Sequence, residues 1–156
     1  MALHSKHRGA VVLGRKRGSK RGDSRSLPRI RRMAHPQFTT TVAVRPLPEQ
    51  TDAAQQLYAY AYTVTIRNTG DVPAQLVARQ WAITDHRGHQ QHVRGLGVVG
   101  HQPLLKPGEQ FEYTSWAQIA TPQGSMQGAF YCITEDARWF ESPVPEFALV
   151  DAAALH

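Results

Sequence analysis

Residues 58–68 read YAYAYTVTIRN, and this stretch decides the fold class. Large apolar side chains recur at every second position, with alanine, threonine and arginine between them. Because successive side chains of a β-strand point to opposite faces, a period of two predicts a strand that is buried on one face. The sequence Asn68-Thr69-Gly70-Asp71 follows at once and predicts a tight turn.

The same period extends along the chain in both directions, interrupted by Gly, Pro, Asn and Asp. It predicts further strands within residues 38–45, 74–84, 89–93, 110–113, 126–132 and 147–150. No stretch keeps apolar residues at helical spacing for long enough to predict a helix. The sequence therefore predicts an all-β fold, an antiparallel β-sandwich of the fibronectin type III or immunoglobulin-like kind with about seven or eight strands.

Individual side chains of these strands can be assigned to the core or to the surface. In the run 74–84, strict alternation places Val77 with Trp81 on one face and Leu76 on the other, and we expect Trp81 in the core. Two further tryptophans, Trp116 and Trp139, fit either the core or an exposed apolar patch that would mark a partner surface.

Basic residues are concentrated at the N-terminus. Residues 1–33 contain 11 of the 18 lysine and arginine residues and a single acidic residue, a charge of +10, whereas the remainder carries −4. The segment is rich in glycine and serine and has little apolar surface to bury. We therefore predict a disordered basic extension over residues 1–32 and a folded domain over residues 33–156.

This extension has two interpretations. It is either an arm that binds nucleic acid through phosphate contacts, or a product of start-site choice, with translation beginning at Met33. Met33 is followed almost at once by strand-like residues, as a native N-terminus would be.

The cysteine content indicates the cellular compartment, and the hydropathy excludes one class of membrane protein. The chain has one cysteine, Cys132, which excludes an intramolecular disulfide framework and favours a cytoplasmic location. Cys132 lies on an apolar strand face, where we expect a buried, unreactive thiol. Apolar runs fall far short of the ~20 residues that a membrane span needs, which excludes a channel or transporter that acts alone.

Residues 95–100, GLGVVG, contain the G-x-G-x-x-G spacing that can bring backbone N–H groups close to a phosphate. Gly95, Gly97 and Gly100 are therefore the candidate ligand-binding residues. Pro103 and Pro107 follow, so no helix can supply its N-terminus to a dinucleotide. The glycines fit equally well a bulge or a tight backbone crossing at the edge of a sandwich.

Three histidines, His86, His89 and His92, form a second cluster, and imidazoles bind transition metals. On a strand, however, residues three apart point to opposite faces. We therefore expect a solvated hairpin and no dedicated metal site. Ser115 is not surrounded by a nucleophile-presenting turn, and no catalytic constellation or cofactor motif is evident, so we expect a protein that is not an enzyme and has no cofactor.

Several motifs in one colinear series resemble the ApaG family. They are YAYTVTIRN (60–68), RQWAITD (79–85), GLGVVG (95–100), QPL (102–104), PGE (107–109), YTS (113–115), TPQGSMQG (121–128) and the final Leu155-His156. The match extends over about residues 33–156, and residues 1–32 have no counterpart in typical members. Leu96, where relatives often have an acidic residue or proline, and Trp116, where glycine is usual, depart from the family pattern.

The resemblance implies a fibronectin type III-like sandwich and an association with Co²⁺ resistance and Mg²⁺ efflux. We expect a non-enzymatic interaction or regulatory module that acts through a protein partner linked to divalent-cation transport; a homodimer is also open. The alternative is a sensor or enzyme that binds a phosphate- or nucleotide-bearing ligand at Gly95–Gly100. Nucleic acid enters as a partner only if the basic extension is translated.

Overall fold

The structure is a computed structural model, and it describes residues 34–151. The predicted extension over residues 1–32 lies outside the described residues. Eight antiparallel strands and two single-turn 3-10 segments, Pro48–Gln50 and Ala53–Gln55, make up the described chain, in which no helix is long and apolar enough to cross a membrane. The strands are β1 (Phe38–Pro46), β2 (Tyr58–Asn68), β3 (Ala74–Asp85), β4 (Gln90–Leu96), β5 (Leu104–Leu105), β6 (Gln110–Ile119), β7 (Gly124–Thr134) and β8 (Trp139–Leu149).

The strands form two sheets that pack face to face. The three-stranded sheet has the order β1-β2-β6, and the five-stranded sheet has the order β4-β3-β7-β8, with the short β5 also paired to β3. One apolar core lies between the inner faces of the two sheets. The predicted all-β fold, the sandwich architecture and the number of strands are confirmed.

Strand β2 places Tyr60, Tyr62, Val64 and Ile66 in the core, as the alternation predicts. Its other face is not wholly exposed, because Ala59 and Ala61 are buried against Leu47. From the opposite sheet, Trp81 completes this core and is 3% exposed, as predicted. Its ring packs edge-on against the rings of Phe130 and Phe147, with centroid separations of 5.8 and 5.9 Å. The centroid of the Tyr62 ring also lies 5.9 Å away. Trp81 therefore joins the aromatic residues of both sheets.

The predicted alternation in β3 is wrong at Val77. The register between β3 and β7 shifts between Leu76 and Ala78, so Val77 is an extra residue that forms a β-bulge. Leu76 before the bulge and Trp81 after it are both buried, although strict alternation would place them on opposite faces. The bulge reverses which positions point inward, and it leaves Val77 half-buried, outside the core face that holds Trp81.

The turn predicted at Asn68 is confirmed, and Asn68 itself is buried, with 1% exposure. Its side-chain Nδ2 donates to the carbonyl oxygens of Val72 (2.9 Å) and Leu105 (2.8 Å), and its Oδ1 accepts from the Gly70 N–H (3.0 Å). One amide side chain thus satisfies three backbone groups of two connecting segments. A buried polar side chain at this position was not evident from the sequence.

Candidate functional site

The glycine loop, residues 95–100, leaves β4 and turns back through a bridge between Val98 and His101. The Gly97 N–H donates to the Val77 carbonyl at 2.7 Å. Val98 and His101 exchange two N–H···O bonds of 2.7 and 2.9 Å. Because these three amides already bond to carbonyls of the protein, they are not directed at a ligand, and the loop lacks the helix N-terminus of a dinucleotide site.

Arg79 fastens this loop to β3. It pairs in register with Gly95, and its Nη1 donates to the carbonyl oxygens of Leu96 (3.1 Å) and Gly97 (2.9 Å). A Cβ atom at Gly95 would lie 2.8 Å from that nitrogen, so the missing side chain makes room for the guanidinium. The sequence did not indicate this role of Arg79, because the contacts of an arginine side chain in a strand depend on which strand lies opposite it.

Two buried tyrosines lie near the Arg79 guanidinium. Burial raises the pKa of Tyr113, the Tyr62 hydroxyl raises it further, and the positive charge of Arg79 acts in the opposite direction. Burial likewise raises the pKa of Tyr62, opposed by a hydrogen bond with Ser115 and by Arg79. Both phenols therefore stay protonated at neutral pH, and neither is poised as a base or a nucleophile.

Gly97 has a structural role that a substitution should expose. Its φ of +66° lies in the left-handed region, and a Cβ atom there would lie 2.4 Å from the His101 carbonyl oxygen. Gly100 has a similar φ of +79° but open space around it. We expect Gly97→Ala to lower the free energy of unfolding by about 2–3 kcal/mol and Gly100→Ala by about 1 kcal/mol. Urea denaturation of both variants measures the difference, and equal losses would contradict the steric argument.

The three histidines occupy the hairpin between β3 and β4. His86 and His89 lie in the connection, His92 lies on β4, and all three side chains are exposed. The Asp85 carboxylate, the nearest acid in sequence, accepts from the backbone N–H groups of Arg87 (2.9 Å) and His89 (3.0 Å) and so stabilises the turn. Among residues 34–151, no group of three or more His, Cys, Asp or Glu side chains is placed to hold a metal ion.

Replacement of His86, His89 and His92 by glutamine should therefore leave the unfolding midpoint unchanged within about 0.5 kcal/mol, with or without added Co²⁺. Thermal unfolding at several Co²⁺ concentrations checks this expectation. A Co²⁺-dependent stabilisation that the triple variant loses would show instead that these histidines bind the ion, since a ligand of the native state must stabilise it.

The outer face of the five-stranded sheet carries two rows of apolar side chains. One row pairs Leu96 of β4 with Ala78 and continues to Tyr131; the other runs from Leu104 through Gln75 and Ile133 to Trp139. Leu96 is 75% exposed, Leu104 55% and Trp139 64%. We call this surface the outer patch, defined as Leu96, Leu104, Tyr131, Ile133 and Trp139.

An open groove of about 530 Å³ continues the outer patch along the same sheet face. Arg94 on β4 and Glu141 on β8 line it from opposite margins, with Pro143 beside Glu141. Among the residues that the structure describes, neither Arg94 nor Glu141 has an ion-pair partner. The groove therefore offers one positive and one negative group beside an exposed apolar surface.

Comparisons with known proteins identify the family. The model of the ApaG domain matches residues 48–134. The chain belongs to the ApaG family. Protein ApaG from Ralstonia nicotianae is 59% identical over 124 residues, which are 80% of this chain and 100% of that relative, and Protein ApaG from Bordetella pertussis is 52% identical over 119 residues, 76% of this chain and 91% of that relative. The resemblance inferred from the sequence motifs is confirmed.

Solved structures agree with this assignment. The crystal structure of the ApaA protein from Bordetella pertussis superposes with a TM-score of 0.73 at 51% identity, covering 75% of this chain and 95% of that one. A second X-ray structure, a structural genomics target, gives the same TM-score at 32% identity, covering 77% of this chain and 91% of that one. The ApaG sandwich thus carries both the glycine loop and the outer patch. Of the two tryptophans with open assignments, Trp139 belongs to the patch, and Trp116 is partly exposed on the other sheet.

Proposed function

We propose that this ApaG domain is a non-enzymatic protein-interaction module whose binding surface is the outer patch, and that it acts in Co²⁺ resistance and Mg²⁺ efflux through its partner. The observation that carries the proposal is the exposure of Leu96, Leu104 and Trp139, each more than half exposed, on one sheet face. Surfaces of this kind mark protein interfaces, in which tryptophan and tyrosine contribute much of the binding energy.

The glycine loop supports this function by its position. Arg79 holds the carbonyl groups of Leu96 and Gly97, which fixes the backbone that presents the most exposed apolar side chain of the patch. A preorganised side chain loses less conformational freedom on binding. Two amides of the glycine loop, those of Gly97 and Val98, bond to the Val77 and His101 carbonyls and are not directed at a phosphate, and this favours the interaction module over the phosphate-binding alternative.

The partner that fits the outer patch is a protein with an apolar contact surface and two charges of opposite sign. An acidic side chain would meet Arg94 at the β4 margin, and a basic one would meet Glu141 at the β8 margin. Such rim charges set orientation and association rate more than affinity, which the apolar side chains supply.

The proposed absence of catalysis and the proposed cytoplasmic location rest on Cys132 and on the tyrosines. Burial raises the pKa of the Cys132 thiol to about 12, so the thiolate needed for nucleophilic attack does not form at neutral pH. A free thiol as the single cysteine suits a reducing compartment.

Complementation tests the function. In a strain that lacks this gene, the double variant Leu96→Glu with Trp139→Glu should fail to restore growth in Co²⁺ and Mg²⁺ efflux. Its matched control is Thr41→Glu with Ala43→Glu, two exposed positions on the outer face of β1 with the same charge change, and it should restore both. Circular dichroism must show that both variants are folded. A patch variant that complements as well as the control contradicts the proposal.

Photo-crosslinking tests the contact itself. A photoreactive amino acid at position 96 should give, in cells, an adduct with one other protein, and the same amino acid at position 41 should not. An adduct with the mass of two copies of this chain would assign the patch to self-association and contradict a separate partner. If the deletion strain tolerates Co²⁺ normally while the adduct forms, the interaction stands and its link to cation handling fails.

A further inference from the structure

Strand β6 has a long edge that no other strand within residues 34–151 covers. It pairs with β2 alone in the order β1-β2-β6. The Asn68 N–H of β2 donates to the carbonyl of Glu109, the residue just before β6. Because hydrogen-bonded residues alternate along an antiparallel pair, the odd-numbered residues of β6 direct their backbone N–H and C=O groups at β2. The Gln118 carbonyl accepts from the side chain of Gln91, outside the sheet, which confirms that even-numbered residues face away. Edge-facing N–H and C=O groups without a strand partner in residues 34–151 thus belong to Gln110, Glu112, Thr114 and Trp116.

This edge lacks the features by which proteins usually block strand addition. Strand β6 contains no proline and no lysine, and Glu112 is its single charge. By contrast, β8 carries Pro143 and Pro145, and at one end of the β1 edge the Phe38 carbonyl accepts from the Ser142 hydroxyl of β8 at 3.2 Å. The β6 edge of the three-stranded sheet is therefore open to the addition of a further strand.

We propose that β6 pairs antiparallel with β6 of a second copy of this chain, about a two-fold axis that passes between their Thr114 residues. In this register the edge-facing residues oppose one another, with Thr114 against Thr114 and Glu112 against Trp116 of the partner subunit. The two three-stranded sheets join into one sheet of six strands, and the pairing closes as a two-fold dimer, the commonest closed symmetry.

Side chains favour a second copy in this register. Thr63 and Thr114 already share a hydrogen bond of 2.8 Å between their Oγ1 atoms on the outer face of the sheet. Opposing Thr114 residues extend this row across the interface, and cross-strand threonine pairs stabilise antiparallel sheets. A register with Glu112 opposite Glu112 would oppose two like charges, whereas the Thr114-centred register keeps them apart.

Sedimentation velocity of the full chain tests the dimer. The unmodified chain should sediment as a dimer at micromolar concentrations. Thr114→Glu and Thr114→Lys should each weaken the dimer about tenfold or more, because two like charges meet at the axis. An equimolar mixture of the two variants should restore it, since opposite charges then face each other. Thr41→Glu, on the outer face of β1, should leave the dimer intact.

A monomeric unmodified chain would overturn the proposal. So would a dimer that Thr114→Glu and Thr114→Lys leave unchanged, because it would use another surface such as the outer patch. Restoration by the mixture distinguishes an edge contact from a folding defect, since a misfolded variant would not recover on mixing. These outcomes do not depend on the complementation experiment, which alters a different sheet.

Discussion

Replacement of Trp81 by alanine should lower the free energy of unfolding by about 4 kcal/mol, a large part of the stability of a domain of this size. The side chain is 3% exposed and contacts aromatic rings of both sheets, at Tyr62, Phe130 and Phe147. Its removal loses the burial of a large apolar surface and leaves a cavity that rigid β-sheets cannot fill by relaxing. Urea denaturation followed by circular dichroism measures the loss.

The matched control is Trp139→Ala, which removes the same side chain from a position that is 64% exposed. Here the change should stay within about 0.5 kcal/mol, since no core contact is lost. Comparable losses in the two variants would show that Trp81 is not the aromatic centre of the core. The control also separates folding from binding, because it alters the outer patch without affecting stability.

Replacement of Asn68 should have an effect of similar size through hydrogen bonds. Asn68→Ala removes the side-chain donor from the carbonyl groups of Val72 and Leu105, at a cost of about 3 kcal/mol, whereas the Gly70 N–H keeps its bond to the Gln37 carbonyl. Asn68→Asp should cost more at neutral pH, because a buried carboxylate would face two carbonyl oxygens in place of the amide donor. Urea denaturation of both variants checks the order.

The pH dependence of Asn68→Asp distinguishes this explanation from a packing defect. The charged form is disfavoured in the folded state, so stability should rise as the pH falls and the introduced carboxylate takes up a proton, with the penalty largely gone by about pH 4. Asn68→Ala should show no such gain relative to the unmodified chain. Thr69→Asp, an exposed neighbour, should change stability little at any pH.

Local sequence patterns predicted the features that depend on a single strand, namely which large side chains enter the core and where the strand ends. The alternation in residues 58–68 predicted which large side chains of β2 enter the core between the sheets, but not that Ala59 and Ala61 on the other face are buried too. The sequence also predicted the place of Trp81 in the core. Turn residues predicted where strands end, as at Asn68. Each of these inferences needs only the geometry of a strand and the cost of exposing apolar surface.

Features that depend on how strands align with one another could not be predicted. The outer patch forms because strand pairing aligns Leu96 with Tyr131 across Ala78 of β3, and Leu104 with Ile133 across Gln75. This register is set by the assembly of the whole sandwich. Arg79 can hold the glycine loop because Gly95 lies opposite it on β4 and leaves room for its guanidinium. The two residues are 16 positions apart in the sequence, so their pairing is not evident from it. The sequence left open whether Trp139 and Trp116 are buried or exposed, because their burial depends on how the strands align in the sheets.

The bulge at Val77 gives the glycine loop a backbone anchor that does not depend on the Val77 side chain. Its carbonyl, set out of the β3–β7 ladder, accepts from the Gly97 N–H at 2.7 Å and from the Gln102 side chain at 3.0 Å. These are backbone properties, so we expect most substitutions at this position to be tolerated. Loss of the residue would join Leu76 directly to Ala78, whose partners on β7 are already consecutive, so the later side chains of β3 would keep their faces. The glycine loop, however, would lose the carbonyl that anchors it. Deletion of this residue should therefore disturb the glycine loop and leave the core in register, whereas substitutions should disturb neither.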